Sequence, residues 1–414
     1  MEPDMRCFYL DPGLRYDLGH HANFCRYITG ALRQRGIETA VLGHRTLTPA
    51  LCEEFRAQPH FRVHTYQISD GDPISGWLSG FDLTVRLTLE DLAQLPPMTS
   101  SDLVYLSTAR PAQLLAVTLW QRGLPDAARP CLVVEVNETG LIGRRDGDAI
   151  HFDAPEPRED ARPLLFRFVG RRHLQPLLPR THFISFDPTN AACVGQLIGA
   201  PVEAAPPPYR AVAPLRSRAG AAPVTVAALG HQTAKKGYPL LPELLRALLV
   251  RRAEITCLVQ TVHIGDQGAA EATEALGRLA AEEPRLLLDD QPAGAERWPR
   301  LLGQADLLLC PYRAEGYACN HSSMACEALA NAIPIVAPAG STMEQLLHDC
   351  GDPGLTFARH DLPTILAAAE AVLDQFDRYA ERAYRAALAW PQTRGPDRLA
   401  DYLIALASRA PVAV

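Results

Sequence analysis

The stretch Val224-Thr-Val-Ala-Ala-Leu-Gly-His-Gln-Thr-Ala-Lys-Lys-Gly237 reads as a buried strand, a glycine-framed polar loop and the approach to a leucine-rich helix. It holds both lysines of the chain, Lys235 and Lys236, while arginine supplies the other 38 of the 40 basic residues. Where arginine replaces lysine so generally, a retained lysine points to a need for the compact ammonium that a planar guanidinium cannot copy. A loop of this kind between a strand and a helix is suited to holding an anionic phosphate. Two exposed lysines side by side on a solvated loop are the plainer alternative.

Outward from this stretch, strand and helix signals alternate in two blocks. The first has strand patterns at 6–10, 39–42, 61–66, 103–106, 132–136 and 182–186. Phe24, Tyr27, Ile28, Ala31 and Leu32 recur at helical spacing and Gly36 supplies a stop. The second has strands at 224–229, 255–260, 285–288, 306–310 and 333–337. Between them, Ala200-Pro-Val-Glu-Ala-Ala-Pro-Pro-Pro-Tyr209 and its continuation to Pro223 carry too much proline for a core element. The fold class is therefore α/β, with two Rossmann-like domains whose parallel sheets face a central cleft. The boundaries expected are an N-terminal domain over 1–205, a linker over 206–223, a C-terminal domain over 224–388 and a final segment over 389–414. That segment follows the break Trp390-Pro-Gln-Thr-Arg-Gly-Pro396. Its helix presents Leu399, Tyr402, Leu403 and Leu406 on one face, which should pack back on the N-terminal domain.

Bulk properties remove several function classes. The hydrophobic fraction of 47% and charged fraction of 21% are those of a soluble globular protein. A net charge of -7 argues against general nucleic-acid binding. No apolar run is long enough to span a bilayer, and the first residues show no secretory pattern. Ten scattered cysteines without a Cys-x-x-Cys pair suit a reducing cytoplasm, with a peripheral contact at the inner membrane face left open. There is no Gly-x-Gly-x-x-Gly after the first strand, no His-Glu-x-x-His and no Gly-x-Ser-x-Gly. Asp70-Gly-Asp72 and Asp146-Gly-Asp148 have the form of metal-holding Asp-x-Asp pairs, but aspartate is common in such turns for backbone reasons, and no metal is expected.

The segment from Leu307 to Val336 reads strand, polar loop, short helix, strand. Ser322 or Ser323 can cap the helix, and Asn331 can take the left-handed position at its end. A helix starting at these serines aims free N–H groups at a diphosphate, and Glu327 on it can accept hydrogen bonds from a ribose diol. A dipole-compensating role for Glu327 is the alternative.

Together, Gly230…Lys236-Gly237, Glu315-Gly316-Tyr317, Glu327-Ala328-Leu-Ala, Ile333-Pro-Ile-Val336, Gly340-Ser-Thr-Met-Glu344 and Gly354-Leu-Thr-Phe357 resemble the motifs of retaining, family-four GT-B glycosyltransferases. The resemblance covers roughly residues 224–385, and the first half only by pattern. It implies a sugar transferred from a nucleoside-diphosphate donor to a glycan, lipid-linked or small-molecule acceptor, with retention and without a metal or other cofactor. By it, Lys236 neutralises the donor diphosphate, Glu327 binds the donor ribose, and Gly340, Ser341 and Thr342 approach the phosphates or sugar. Gly230, His231 and Gly237 belong to the same donor loop, and Ser322 and Ser323 to the helix start.

Two departures stand out. His231 occupies the place of the family's arginine, and Glu315 and Glu327 are twelve positions apart where the family has eight. Counting back eight from Glu327 gives Cys319, which cannot act as a carboxylate. Either the loop is longer and Glu315 still reaches the sugar, or Asn320 and His321 take over its hydroxyls. In the first half, Gly19 is expected to permit close approach of the donor. His20 and His21 are expected to meet an acceptor, phosphate or departing oxygen, unless they are ordinary helix-start residues. The cluster Arg167, Arg171, Arg172 and His173 suits an acidic acceptor or a solvated helix face. A non-catalytic sugar-nucleotide binder and a nucleotide-sugar epimerase on the same fold are the rival readings.

Overall fold

The computed structural model describes residues 5–66, 73–137, 139–146, 149–153, 160–262 and 267–409. Asp70, Asp72 and Asp148 of the two Asp-x-Asp pairs lie outside the described residues.

The first half runs β1 (Arg6–Leu10), α1 (Gly19–Gln34), β2 (Glu38–His44), α2 (Pro49–Phe55), β3 (Ala57–Phe61), α3 (Pro73–Leu92), β4 (Leu103–Leu106), α4 (Pro111–Gly123) and β5 (Cys131–Glu135). A ribbon of β6 (Ile142–Asp146) and β7 (Ala149–Asp153) follows, then α5 (Arg162–His173), β8 (Thr181–Ser185), α6 (Pro188–Ile198) and β9 (Val202–Ala204). The seven-stranded sheet has the order β3-β2-β1-β4-β5-β8-β9, and every neighbouring pair is parallel. Covered on both faces, β4 and β5 are buried at every residue, which is why they read as unbroken apolar runs.

The second half runs β10 (Val224–Ala228), α7 (Leu241–Arg251), β11 (Ile255–Gln260), α8 (Gln267–Glu282), β12 (Leu286–Asp289), α9 (Arg297–Gln304) and β13 (Leu307–Leu309). It continues with α10 (Ser323–Ala330), β14 (Ile335–Pro338), α11 (Thr342–Asp349), β15 (Gly354–Phe357), α12 (Leu362–Asp374), α13 (Phe376–Thr393) and α14 (Pro396–Ser408). Its parallel sheet has the order β12-β11-β10-β13-β14-β15. On α7, Leu241, Leu244, Leu245, Leu248 and Leu249 form the stripe buried against this sheet. Truncating one such leucine to alanine costs about 2–5 kcal/mol.

Two compact units result. One comprises the chain up to Ile142, Phe152–Pro208 and the residues from Arg394 on; the other comprises Gly143–His151 and Tyr209–Thr393. The last helix, α14, packs on α1 of the first unit as its apolar stripe requires, burying Leu399, Leu403 and Leu406. Arg35 fixes it further, reaching Asp397 at 2.8 Å and Asp401 at 2.6 Å. Each leucine contributes roughly 1.5–3 kcal/mol by burial, more than exposed ion pairs of this kind.

Several expectations need correction. The third strand is Ala57–Phe61, not 61–66; it is an edge strand, where Pro59 is tolerated but hides the strand signal. Residues 202–204, read as proline-rich connection, form the opposite edge strand β9. The segment after Pro208, expected as a proline-rich linker over 206–223, is anchored in the second unit by Tyr209, Val212 and Arg218. Arg218 is 4% exposed, pairs with Asp306 at 3.3 Å and donates to the Leu302 carbonyl at 3.1 Å. The ribbon residues 143–151 also lie with the second unit, although the sequence places them deep in the first half. Finally, α13 runs through Pro391, and the break comes at Gly395, where φ is +100°.

Candidate functional site

In open parallel sheets, ligands bind beyond the carboxyl ends of the strands where the order reverses. In the second unit that point lies between β10 and β13. Gly230 turns away from β10 with φ of +91°, and its N–H donates to Gln260 Oε1 at 2.9 Å. Ala234–Lys236 then make a 3-10 turn that ends at Gly237, with φ of +69°. A Cβ at Gly237 would lie 1.8 Å from the Pro311 carbonyl oxygen, so both backbone angle and space demand glycine. A Cβ at Gly230 would begin 3.6 Å from Lys236 Nζ and 3.2 Å from Met324 Sδ. The ammonium, the turn after β10 and the first turn of α10 therefore border one small space. The two lysines diverge: Lys236 Nζ lies 5.7 Å from the Tyr312 ring centroid, and Lys235 Nζ 5.2 Å from that of Tyr317. Solvent reaches much of His231, yet protein crowding around its ring and the nearby Lys236 hold its imidazole below the ordinary value. Lys236 is thus a fixed cation of this loop, and His231 does not add a second.

The start of α10 is tied down by the strap that precedes β10. Ser322 is the cap, accepting from the Ala325 N–H, and Ser323 Oγ accepts from the Tyr209 hydroxyl at 2.7 Å. The Tyr209 oxygen also lies 3.2 Å from His321 Nε2, and the two rings stack at 5.6 Å. Although His321 as a residue is half-buried, its ring is enclosed here, and that burial pushes it down to about 4. At neutral pH it is an uncharged hydrogen-bonding group. Asn331 ends the helix, but not in the left-handed region: its φ is -106°, and Ala332 takes that conformation with φ of +60°. Its side chain is used elsewhere, accepting from the Val212 N–H at 2.9 Å and donating to the Glu327 carbonyl at 2.8 Å.

Glu327 is 7% exposed, and the indole N–H of Trp298 donates to its Oε2. Burial pushes its carboxyl up to about 7, partly offset by that hydrogen bond. The other oxygen, Oε1, is left for further donors such as a diol. Glu315 behaves differently. It lies exposed on the 3-10 turn Ala314–Gly316, and the loop from Tyr317 to Asn320 behind it is buried. Cys319 is fully buried, with its Sγ 2.2 Å from where a Cβ at Gly143 of β6 would lie. The residue eight before Glu327 is therefore packed against the ribbon. Asn320 turns inward, donating to the Gly316 carbonyl at 2.9 Å.

The Gly340 loop meets the same segment. Thr342 donates its N–H to the Tyr317 carbonyl at 3.0 Å and its hydroxyl to the Asn320 carbonyl at 2.8 Å. Ser341 Oγ bonds the Pro338 carbonyl at 2.6 Å, and Gly340 N–H is capped by Glu344 at 2.9 Å. Among the residues expected for the donor, Gly230 and Lys236 border α10, Gly237 closes the turn against Pro311, and Asn320, Ser341 and Thr342 buttress the neighbouring loop. Trp298 and Tyr209 were not foreseen.

In the first unit the corresponding reversal lies between β1 and β4. Gly19 opens α1 with φ of +66°, followed by His20 and His21. Successive helical residues point about 100° apart, so an adjacent pair divides between inside and outside. His21 is accordingly buried at 6% exposure, with Nδ1 2.8 Å from Asp11 Oδ1 and Nε2 3.0 Å from the Tyr66 hydroxyl. His20 is half-buried at the start of the helix, its Nε2 3.0 Å from the same hydroxyl. Nearby, Glu135 is buried beneath Tyr105, which donates to it at 2.6 Å, and burial pushes its carboxyl up to about 7. The basic cluster lies on α5, with Arg171 and Arg172 exposed beside Leu164 and Phe168. Among the described residues no group of three or more histidine, cysteine, aspartate or glutamate side chains is placed to hold a metal, and no helix is long and apolar enough to cross a membrane.

No family model matches this sequence, and no curated protein does. Solved structures do match over nearly the whole chain. Anabaena Alr3699/HepE in complex with UDP and glucose is 16% identical, with a TM-score of 0.64, covering 98% of this chain and 100% of that one. Sucrose-phosphate synthase from Thermosynechococcus elongatus is 14% identical, with a TM-score of 0.64 and coverage of 97% and 98%. An α,α-trehalose-phosphate synthase (UDP-forming) from Burkholderia vietnamiensis is 10% identical, with a TM-score of 0.63 over 100% of both chains. At such identities the likeness establishes the architecture, which is the two-Rossmann GT-B fold.

Proposed function

We propose that this chain is a glycosyltransferase that moves a sugar from a nucleoside-diphosphate donor to a hydroxyl of a glycan, lipid-linked or small-molecule acceptor. The observation that carries the reading is the placement of Lys236 beside the Gly230 turn and the first turn of α10. An ammonium and a helix N-terminus aimed at one space stabilise the charge that develops on a departing diphosphate. The same pair supports catalysis without a metal, and Glu327, with one oxygen held by Trp298, is the group for the ribose diol. The similar HepE structures that hold UDP, or UDP and glucose, favour UDP as the carrier. Retention of anomeric configuration follows from the motif resemblance in residues 224–385. We place the enzyme in the cytoplasm; a lipid-linked acceptor would bring it to the membrane face.

A second reading, a sugar-nucleotide binder without turnover, is favoured by the exposure of Glu315 and the buried Cys319. A thermal-shift panel of UDP, GDP, ADP and their sugars tests both. A ligand at about 100 times its Kd stabilises the fold by roughly 2.7 kcal/mol. No response to any nucleotide contradicts both readings. Release of UDP from UDP-glucose that is lost in Glu327→Ala supports the enzyme over the binder.

A further inference from the structure

Trp298 and Glu327 meet across 29 positions of sequence, each delivered by its own helix. Both are buried, and the indole N–H, which can only donate, is given to Glu327 Oε2. Oε1 accepts from no donor among the described residues. Trp298 is itself held by the segment before it. Its backbone N–H donates to the Gly294 carbonyl at 2.9 Å, and neighbouring Arg297 pairs with Asp289 at 2.8 Å. Asp289 ends β12 and accepts from the Gln291 N–H at 3.0 Å. The Gln291 carbonyl accepts from Gln260 Nε2 at 3.4 Å, while Gln260 Oε1 takes the Gly230 N–H. A run of hydrogen bonds within the second unit thus links the turn carrying Lys236 to the arm holding Glu327.

As a packing device this arrangement is poor. A carboxylate can accept about four hydrogen bonds, and a buried one with a single neutral donor destabilises the fold unless it is protonated. Burial accordingly pushes Glu327 up to about 7, against the indole bond, which favours the ionised form. The residues that α9, α11, α13 and β14 bury carry no ionic charge. The titratable groups around α10 are His321 and Cys326 at its start, Lys236 near Met324, and Arg218 with Asp306 by its end.

We propose that Trp298 is a positioning residue for donor selection: by holding Oε2 it turns Oε1 to the 2′-hydroxyl of a ribose, so ribonucleoside diphosphates are preferred over 2′-deoxyribonucleoside diphosphates. This rests on the transferase reading above, which puts a nucleoside diphosphate against Lys236 and Glu327. A hydroxyl donates best to an ionised carboxyl, and the indole bond stabilises that form. The ribose-dependent part of the affinity should therefore be small below about pH 7 and grow as pH rises through it. Without the indole N–H the carboxyl stays protonated to higher pH, and the growth shifts upward with it. His321, already neutral at these pH values, adds nothing to the change. The diphosphate titrates alike in the two nucleotides.

Calorimetric titration of UDP and 2′-deoxy-UDP into the full chain, from about pH 5.5 to 9, reads this directly. The ratio of the two affinities cancels the base, the diphosphate, Lys236 and any general loosening of the fold. In the wild type it should reach about tenfold or more above about pH 8 and shrink towards unity below about pH 6. In Trp298→Phe it should fall about three- to tenfold at about pH 8, and its midpoint should move to higher pH. In Glu327→Gln the ratio should not vary with pH, and adding Trp298→Phe should change it by less than about twofold. Equal losses for both nucleotides in Trp298→Phe, with ratio and midpoint unchanged, make Trp298 a packing residue and overturn the proposal. So does a wild-type ratio within about twofold at every pH. UDP binding with such a flat ratio leaves the transferase reading standing, whereas no binding of either nucleotide sinks both. Should Trp298→Phe fail to fold, the indole 1H–15N signals of the wild type decide. One of the four should titrate with a midpoint near 7 and cease to do so in Glu327→Gln. UDP should lower that midpoint more than 2′-deoxy-UDP does, and equal shifts overturn the proposal.

Discussion

The carboxyl ends of the two sheets carry opposite chemistry on the same architecture. Beyond β10 and β13 stand a lysine, two glycines of positive φ and the capped start of α10. Beyond β1, β4 and β5 stand Asp11, Glu135, two histidines and the Tyr66 phenol. The first set is rich in positive potential; the second is a buried cluster of titratable groups. The strand order brings both sets to a reversal point, but only the side chains decide what each point does.

The largest effect expected separates the two loops by their glycines. Gly237→Ala meets the Pro311 carbonyl at 1.8 Å and must also hold φ of +69°, so we expect a loss of more than about 3 kcal/mol and failure of the second unit to fold. Gly19→Ala, with φ of +66° and nothing within 4 Å of its Cβ, should cost only about 1 kcal/mol. Urea unfolding of the two variants measures both, and equal losses would erase the distinction.

Next come the buried carboxyls, one in each region. Glu327 and Glu135 are both raised from 4.5 to about 7, mainly by burial. The folded state holds each proton more tightly than the unfolded chain. Its stabilisation is complete below about pH 4.5 and is lost as pH rises through 7. The decline should be on the order of 3 kcal/mol per group. Glu327→Gln and Glu135→Gln should each flatten it by about one proton. UDP should also oppose the decline through Glu327, whose ionised form accepts the diol, and not through Glu135.

A smaller effect falls on the strap. Tyr209→Phe removes the hydrogen bond to Ser323 and should cost about 1 kcal/mol, with a modest weakening of UDP binding. Smallest of all is Lys235→Ala. Its ammonium lies towards Tyr317, away from Gly230, so UDP affinity should stay within about twofold of wild type.

What could be read in the sequence is what depends on neighbours in the chain. Lys236-Gly237 declares a turn because φ of +69° needs glycine, and Ser322 declares a cap because the N–H it satisfies is three residues on. Strands buried on both faces announce themselves as apolar runs. Trp298, Tyr209 and Tyr66 were silent because their partners lie 29, 114 and 45 positions away. Their spacing carries no periodic signal. Proline masked the two edge strands, and the charged β6–β7 ribbon has no apolar alternation to mark its place in the second unit. Adjacent His20 and His21 were visible as a pair, but only the helix direction shows that one of them faces inward.

The proposed donor site turns on one ammonium, and calorimetric titration of UDP into wild type and Lys236→Ala tests it most directly. We expect one UDP per chain and a loss of about thirty- to a hundredfold in affinity for the variant, as for removal of a charged hydrogen-bond donor. Equal affinity in both proteins, or no binding of UDP to the wild type, would contradict it.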